Sequence, residues 1–84
     1  MAYEINDRIE VLAAFGRRGI VPRLFIWKSR RYPIAKVTAT WTEPAGLFHQ
    51  HHFAVLTPEA VDLYEICFHP RDLAWHLLRI PGDQ

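Results

Sequence analysis

With 84 residues the chain has room for one domain, and its single cysteine, Cys67, rules out an internal disulfide. Half of the residues are apolar and eleven are aromatic, five Phe, three Trp and three Tyr, which is a rich core for so short a chain. No run approaches the ~20 apolar residues of a membrane span, and MAYEINDRIE lacks the basic start and apolar run of a signal peptide, so a cytoplasmic location and no membrane contact are expected.

The chain is expected to form a single domain over residues 1–84, with 1–6 and 81–84 as frayed ends. Asp7–Phe15 reads two ways. Asp7 with Glu10 resembles a capping box that would open a helix. Ile9, Val11, Ala13 and Phe15 alternate with more polar neighbours, which favours a strand. Gly16–Pro22 reads as a loop, because two glycines and a proline flank Arg17-Arg18.

Arg23–Trp41 is the clearest stretch. β-branched and aromatic residues suit a pleated, half-buried surface. One strand is predicted over Arg23–Lys28, a turn centred on Ser29-Arg30, and a second strand from Arg31 towards Thr42. Phe25 and Trp27 share a face, as do Tyr32 and Ile34, because side chains alternate along a strand. Val37, Ala39 and Trp41 have the opposite parity. Keeping them on the apolar face needs one extra residue, so a β-bulge is predicted near Ala35-Lys36, with Trp41 in the core.

Glu43-Pro44-Ala45-Gly46 reads as a turn. Leu47–Thr57 reads as a strand with Leu47, His49, His51, Phe53 and Val55 on one face. Thr57-Pro58 suits a helix start, with a stripe of Ala60, Val61, Tyr64, Cys67 and Phe68. A strand instead puts Tyr64, Ile66 and Phe68 on one face, and Val61, Leu63 and Cys67 on the other. His69–Asp72 reads as a turn. Leu73–Ile80 closes the domain with Trp75 and Leu77 on one face, and Pro81-Gly82 ends it. The expected architecture is all-β: a strongly bent antiparallel meander of about six strands, barrel-like.

FIWKSRRYPIAKVTATW, HHFAVLTPEAVDLYEICF and LAWHLLRI together resemble a family of small uncharacterised bacterial domains. Its pattern is F-x-W, a basic turn, R-Y-x-V-x-x-V, a Trp four residues later, Y-x-V-x-T, Y-E-L and a final W-x-L. Phe25, Trp27, Arg31, Tyr32, Ile34, Val37, Trp41, Phe53, Val55, Thr57, Tyr64, Glu65, Ile66, Trp75 and Leu77 occupy those places. The resemblance covers roughly residues 22–80 and implies a hairpin, not a helix, around Pro58. Members encoded near translesion DNA polymerases imply a context in DNA metabolism. His51-His52 depart from the pattern.

Net charge is +1, but the charge is unevenly spread. From Val11 to Thr42 there is no acid, while Arg17, Arg18, Arg23, Lys28, Arg30, Arg31 and Lys36 are all basic. That asymmetry points to a polyanion or an acidic partner surface. Positive side chains beside aromatic faces can follow a phosphate backbone, and small β-barrels bind oligonucleotides in this way. Arg17, Arg18, Arg30 and Arg31 are the candidate nucleic-acid contacts, placed in a loop and a hairpin turn. A simple meander puts those two connections at opposite ends of a strand.

The histidines offer a second chemistry. His49 and His51 on one strand point the same way, about 6–7 Å apart. They would share a zinc ion if His76 or Cys67 supplied a third ligand. The plainer reading makes them polar residues on a solvated or interface face, and no metal or cofactor is expected. Cys67 shares a face with His69, but a lone buried cysteine is usually packing. No carboxylate pair, glycine-rich phosphate loop or Ser-His-Asp set is present, so no enzyme activity is expected. The expected function is a non-catalytic binding or interaction module, an accessory factor in DNA metabolism. The alternative is a structural homodimer or protein-docking domain without nucleic-acid contact. A homodimer is expected in either case, because Leu24, Ile26, Val61, Leu63 and Cys67 give two strands a second apolar face.

Overall fold

Short runs of alternating apolar side chains, separated by glycine, proline and charged turns, leave this chain little choice but strands. The computed structural model describes residues 2–60 and 62–82. β1 spans Ala2–Gly16, β2 Gly19–Trp27, β3 Arg30–Pro33 and β4 Lys36–Ala45. β5 spans Phe48–Leu56, β6 Tyr64–His69 and β7 Ala74–Pro81. All pairings are antiparallel, in one sheet of order β3-β2-β1-β7-β6-β5-β4. The all-β expectation therefore holds, with seven strands where about six were expected.

Two long strands bend the sheet. β1 pairs with β7 from Ala2 to Ile9 and with β2 from Glu10 to Gly16, so it changes partner midway. The segment joining β3 to β4 does the same. Ile34 N donates to Arg23 O of β2 at 2.8 Å, and the next amide, Ala35 N, donates to Leu56 O of β5 at 2.7 Å. The sheet thus winds round until its two edge strands are consecutive pieces of chain. It is not closed, since no ladder joins β3 to β4.

The inward face carries one core. Ile9, Phe25, Phe53, Val55, Ile66, Phe68, Trp75 and Leu77 are buried together. Cross-strand register explains the set: Thr40, Phe53, Ile66 and Leu77 lie in one row, and His51, Phe68, Trp75 and Ile9 in the next. Residues directly opposite share a face. Full burial of each large side chain stabilises the fold by roughly 1.5–3 kcal/mol.

Several expectations need correction. Residues 2–6 are not frayed: Ala2, Tyr3 and Glu4 pair with Pro81, Ile80 and Arg79. Met1, Asp83 and Gln84 lie outside the described residues, as does Val61. The Gly16–Pro22 loop shrinks to a two-residue turn, Arg17-Arg18, closed by Gly16 opposite Gly19. The turn expected at Glu43–Gly46 lies later, at Gly46-Leu47, because β4 runs through Pro44 to Ala45. Pro44 is tolerated because its nitrogen faces the free edge, where no ladder hydrogen bond is needed.

Trp41 is not in the core. It is 37% exposed. The chain does bend at Ile34-Ala35, near the predicted bulge, but a second irregularity follows between Val37 and Ala39. Val37 packs against the core, Thr38 is the extra residue, and Trp41 emerges on the outer face opposite His52. The Thr38 hydroxyl donates to Ala54 O at 3.0 Å, which ties the irregularity down.

The β2–β3 turn also sits one residue earlier than expected, at Lys28-Ser29, with Trp27 opposite Arg30. Both turn residues have positive φ, 51° and 64°. Tight hairpins require this and prefer Asn-Gly. A side chain held there costs about 1–2 kcal/mol. Ser29→Gly is therefore expected to raise stability by about 1 kcal/mol, read as a higher urea midpoint. A lower midpoint would mean that the Ser29 side chain stabilises the turn in some other way.

A candidate nucleic-acid interface

The β2–β3 hairpin carries alternating aromatic residues on its inward face, and one further partner, Tyr64, comes from β6. Phe25 is fully buried and stacks on Tyr32, with ring centroids 4.8 Å apart and planes 5° apart. Tyr32 also meets Trp27 at 6.1 Å and Tyr64 at 5.8 Å. Phe25 is thus the base of an aromatic tier whose outer members, Trp27, Tyr32 and Tyr64, are half-buried.

Cations cap that tier. The tight turn places Lys28 Nζ 5.0 Å from the Trp27 ring centre. Arg30 holds its guanidinium carbon 5.4 Å from the Tyr32 ring centre. Such contacts contribute about 0.5–1 kcal/mol each at exposed sites. Trp27 is oriented from its other side, where Nε1 donates to Asp7 Oδ2 at 2.9 Å. Beside the tier lies a cleft of about 430 Å³ whose lining includes Arg30, Arg31, Tyr32, Thr57, Glu59 and Tyr64. Burial, then the neighbouring Tyr32, pushes the Tyr64 phenol above its ordinary value, so it stays a neutral hydroxyl at physiological pH.

Arg17, Arg18, Arg30 and Arg31 are all exposed, but they do not converge. Arg17-Arg18 cap the β1–β2 turn, and Arg30-Arg31 follow the β2–β3 turn. The nine residues of β2 separate them, roughly 26 Å along the strand. The basic block therefore makes two patches, and only the Arg30-Arg31 patch has aromatic company. Periodicity suggests that aromatics must choose between core and surface. The tier does both by depth, from Phe25 inside to Trp27 and Tyr32 half outside.

The zinc alternative fails on geometry. His49 and His51 lie on the core side of β5, His49 exposed and His51 beside Phe68, with rings 6.4 Å apart. His76 pairs with Cys67 on the opposite face of the sheet, so it cannot meet them. Among the described residues no group of three His, Cys, Asp or Glu side chains is arranged to hold a metal ion. His76 instead packs its ring 4.6 Å from His69, with Nδ1 3.0 Å from Asn6 Oδ1.

The histidine that sequence reasoning passed over is His52. It is buried on the outer face, stacked 5.4 Å from the Trp41 ring. Its Nδ1 lies 3.2 Å from Glu65 Oε2, and its Nε2 lies 3.6 Å from both Glu43 Oε1 and Cys67 Sγ. Cys67 is fully buried there. Burial, then the Glu43 and Glu65 carboxylates, pushes its thiol up to about 12. Nucleophilic chemistry needs the thiolate, so this cysteine is held in its unreactive form. Its nearest imidazole is His52 and not His69. The face shared by Leu63 and Cys67 is no open apolar patch, since Cys67 is covered. A partial signal for the His52 cluster exists in sequence, where Cys67 is an apolar residue between Glu65 and His69 on the outer face of β6 and His52 a polar one among Phe48, Ala54 and Leu56 on that of β5. Their pairing needs the β5–β6 register.

The chain matches no protein-family model, no curated protein and no solved structure. Among the described residues no helix is long and apolar enough to cross a membrane.

Proposed function

We propose that the domain is a non-catalytic binding module that holds nucleic acid, single strands in preference to duplex, against the β2–β3 hairpin. The observation that carries this reading is the cation-capped aromatic tier, Lys28 on Trp27 and Arg30 on Tyr32. Single strands are bound by basic grooves whose aromatic side chains stack on successive bases. One face of Tyr32 is already taken by Phe25. A base arriving on the other face displaces Arg30, which then pairs with the adjoining phosphate. Arg31 and Lys28 extend the phosphate track. Nothing in this arrangement reads base edges, so affinity is independent of sequence. The resemblance to domains encoded near translesion polymerases supports a role as an accessory factor in DNA metabolism.

The competing reading, a docking domain for another protein, has support in exposed apolar side chains, notably Leu47, Phe48 and Leu73. Titrating short labelled single- and double-stranded oligonucleotides across a salt series separates the two. Weak binding that falls steeply with salt is expected for wild type. Arg30→Ala/Arg31→Ala is expected to weaken it about tenfold and to reduce the log–log salt slope by about 2. Arg17→Ala/Arg18→Ala, a strand's length away, is expected to leave the slope for a short oligonucleotide unchanged. No binding at low salt, or equal losses from the two double mutants, would favour the docking domain.

A further inference from the structure

We propose that two copies of the chain join edge to edge through β4, antiparallel about a two-fold axis that passes between their two Trp41 residues. β4 is an edge strand of the sheet and pairs with β5 alone. From Thr38 to Glu43 every residue is exposed, and from Val37 to Thr42 none is charged. A long, uncharged, exposed edge with open backbone groups is a template for another strand.

Hydrogen-bond alternation defines which groups are open. The Gly46-Leu47 turn closes on Ala45 opposite Phe48, which makes that a hydrogen-bonded pair. Counting back in twos, Glu43, Trp41 and Ala39 also bond to β5. The N–H and C=O groups of Thr40 and Thr42 therefore point away from β5, towards solvent. Pro44 shares that orientation but has no N–H to offer, and the irregularity at Thr38 breaks the edge at the other end. The usable window is bounded by these two interruptions.

A second copy fits that window in one register. A two-fold axis normal to the sheet must relate each residue to a residue on the same face. With Trp41 opposite the Trp41 of the other copy, Thr40 of each faces Thr42 of the other, and all four open threonine positions bond. Shifting by one residue along each strand either sets the Pro44 ring, in place of an N–H, against Thr40 of the other copy or brings the Thr38 irregularity into the ladder. In the chosen register the two indoles occupy a non-hydrogen-bonded pair, where side chains approach most closely, and aromatic pairs there are favourable. Glu43 lies opposite Ala39 of the other copy. The next outward side chain along that copy is Lys36, since Val37 turns inward and Thr38 is the extra residue. A Glu43–Lys36 pair thus forms at each end, diagonally across the interface. Opposite charges that meet twice only when the same strand is read backwards favour a second copy over an unrelated strand. So short a contact falls below the about 1,200 Å² of stable interfaces, so the dimer forms and dissociates with concentration.

Sedimentation of the whole chain from about 10 μM to about 1 mM is expected to show a reversible monomer–dimer equilibrium. The paired indoles are expected to add an exciton couplet to the far-ultraviolet circular dichroism that grows with concentration. Thr42→Pro removes an outward N–H and leaves the bonds to β5 in place, and is expected to weaken association at least tenfold at an unchanged melting temperature. Should Thr42→Pro fail to fold, the charge pair decides: Lys36→Glu weakens the dimer and Lys36→Glu/Glu43→Lys restores it. A wild type that stays monomeric throughout, a folded Thr42→Pro protein that associates as before, or a charge swap that fails to restore association would overturn the proposal.

Discussion

Phe25→Ala is expected to cost about 3–5 kcal/mol, a large part of the stability of a small domain. The ring is fully buried, touches Tyr32 and Tyr64, and belongs to the strand that ties β1 to β3. Removing it leaves a cavity that a bent sheet cannot collapse into without breaking pairings on both sides. Trp41→Ala is the informative contrast. Trp41 is larger, but it sits on the outer face and loses chiefly its stack on His52. About 1 kcal/mol is expected there. Urea titrations of both mutants measure the difference. Equal losses, or a larger loss at Trp41, would mean that β4 has the opposite phase.

Alkaline pH is expected to produce the second large effect. Cys67 has its thiol pushed from an ordinary 9.0 to about 12 in the folded chain. The unfolded chain therefore gives up this proton first. Stability from the buried thiol is fully present below about pH 9 and is lost as pH rises towards 12. Each pH unit within that window removes roughly 1.4 kcal/mol. Tyr64, also raised, adds a smaller loss in the same direction. Urea midpoints measured from neutral pH upwards are expected to fall steeply in wild type. In Cys67→Ala only the gentler decline should remain. A mutant whose midpoint falls as steeply as that of wild type would mean that the Cys67 thiol ionises freely in the folded state.

The strands themselves were legible where two signals agreed. Phe25 and Trp27 share parity in a β-branched run, and the face of Tyr64, Ile66 and Phe68 follows from the hairpin reading around Pro58. The position of Trp41 was not legible, because Thr38 and Ala39 are small enough to sit on either face. Periodicity passes through such residues without revealing an inserted one. The strand at Gly19–Pro22 was hidden for another reason. Glycine and proline read as loop, yet here Gly19 closes a two-residue turn at φ 102° and Pro22 sits beside the register shift of β1 and β2. The site follows the same logic. Exposure of the four arginines could be read from turn chemistry, but their separation depends on how long β2 is. The meeting of His52, Glu65 and Cys67 depends on a register set by the 57–63 connection, and no local pattern encodes that.

The divided allegiance of β1 has a consequence for how the molecule assembles. Its second half pairs with its immediate successor, whereas its first half waits for the last strand, almost the whole length of the chain away. Local hairpins form early because closing a short loop costs little entropy. The pairing of β1 with β7 has the highest contact order in the fold, and contacts of that kind slow the search for the native state. During synthesis the β1–β2–β3 hairpins can form while Asp7, Arg8 and Ile9 still lack their partners on β7, Leu77, His76 and Trp75. Until β7 leaves the ribosome, the centre of the finished sheet is an exposed apolar edge. The folding of this small domain therefore hinges on its most sequence-distant ladder.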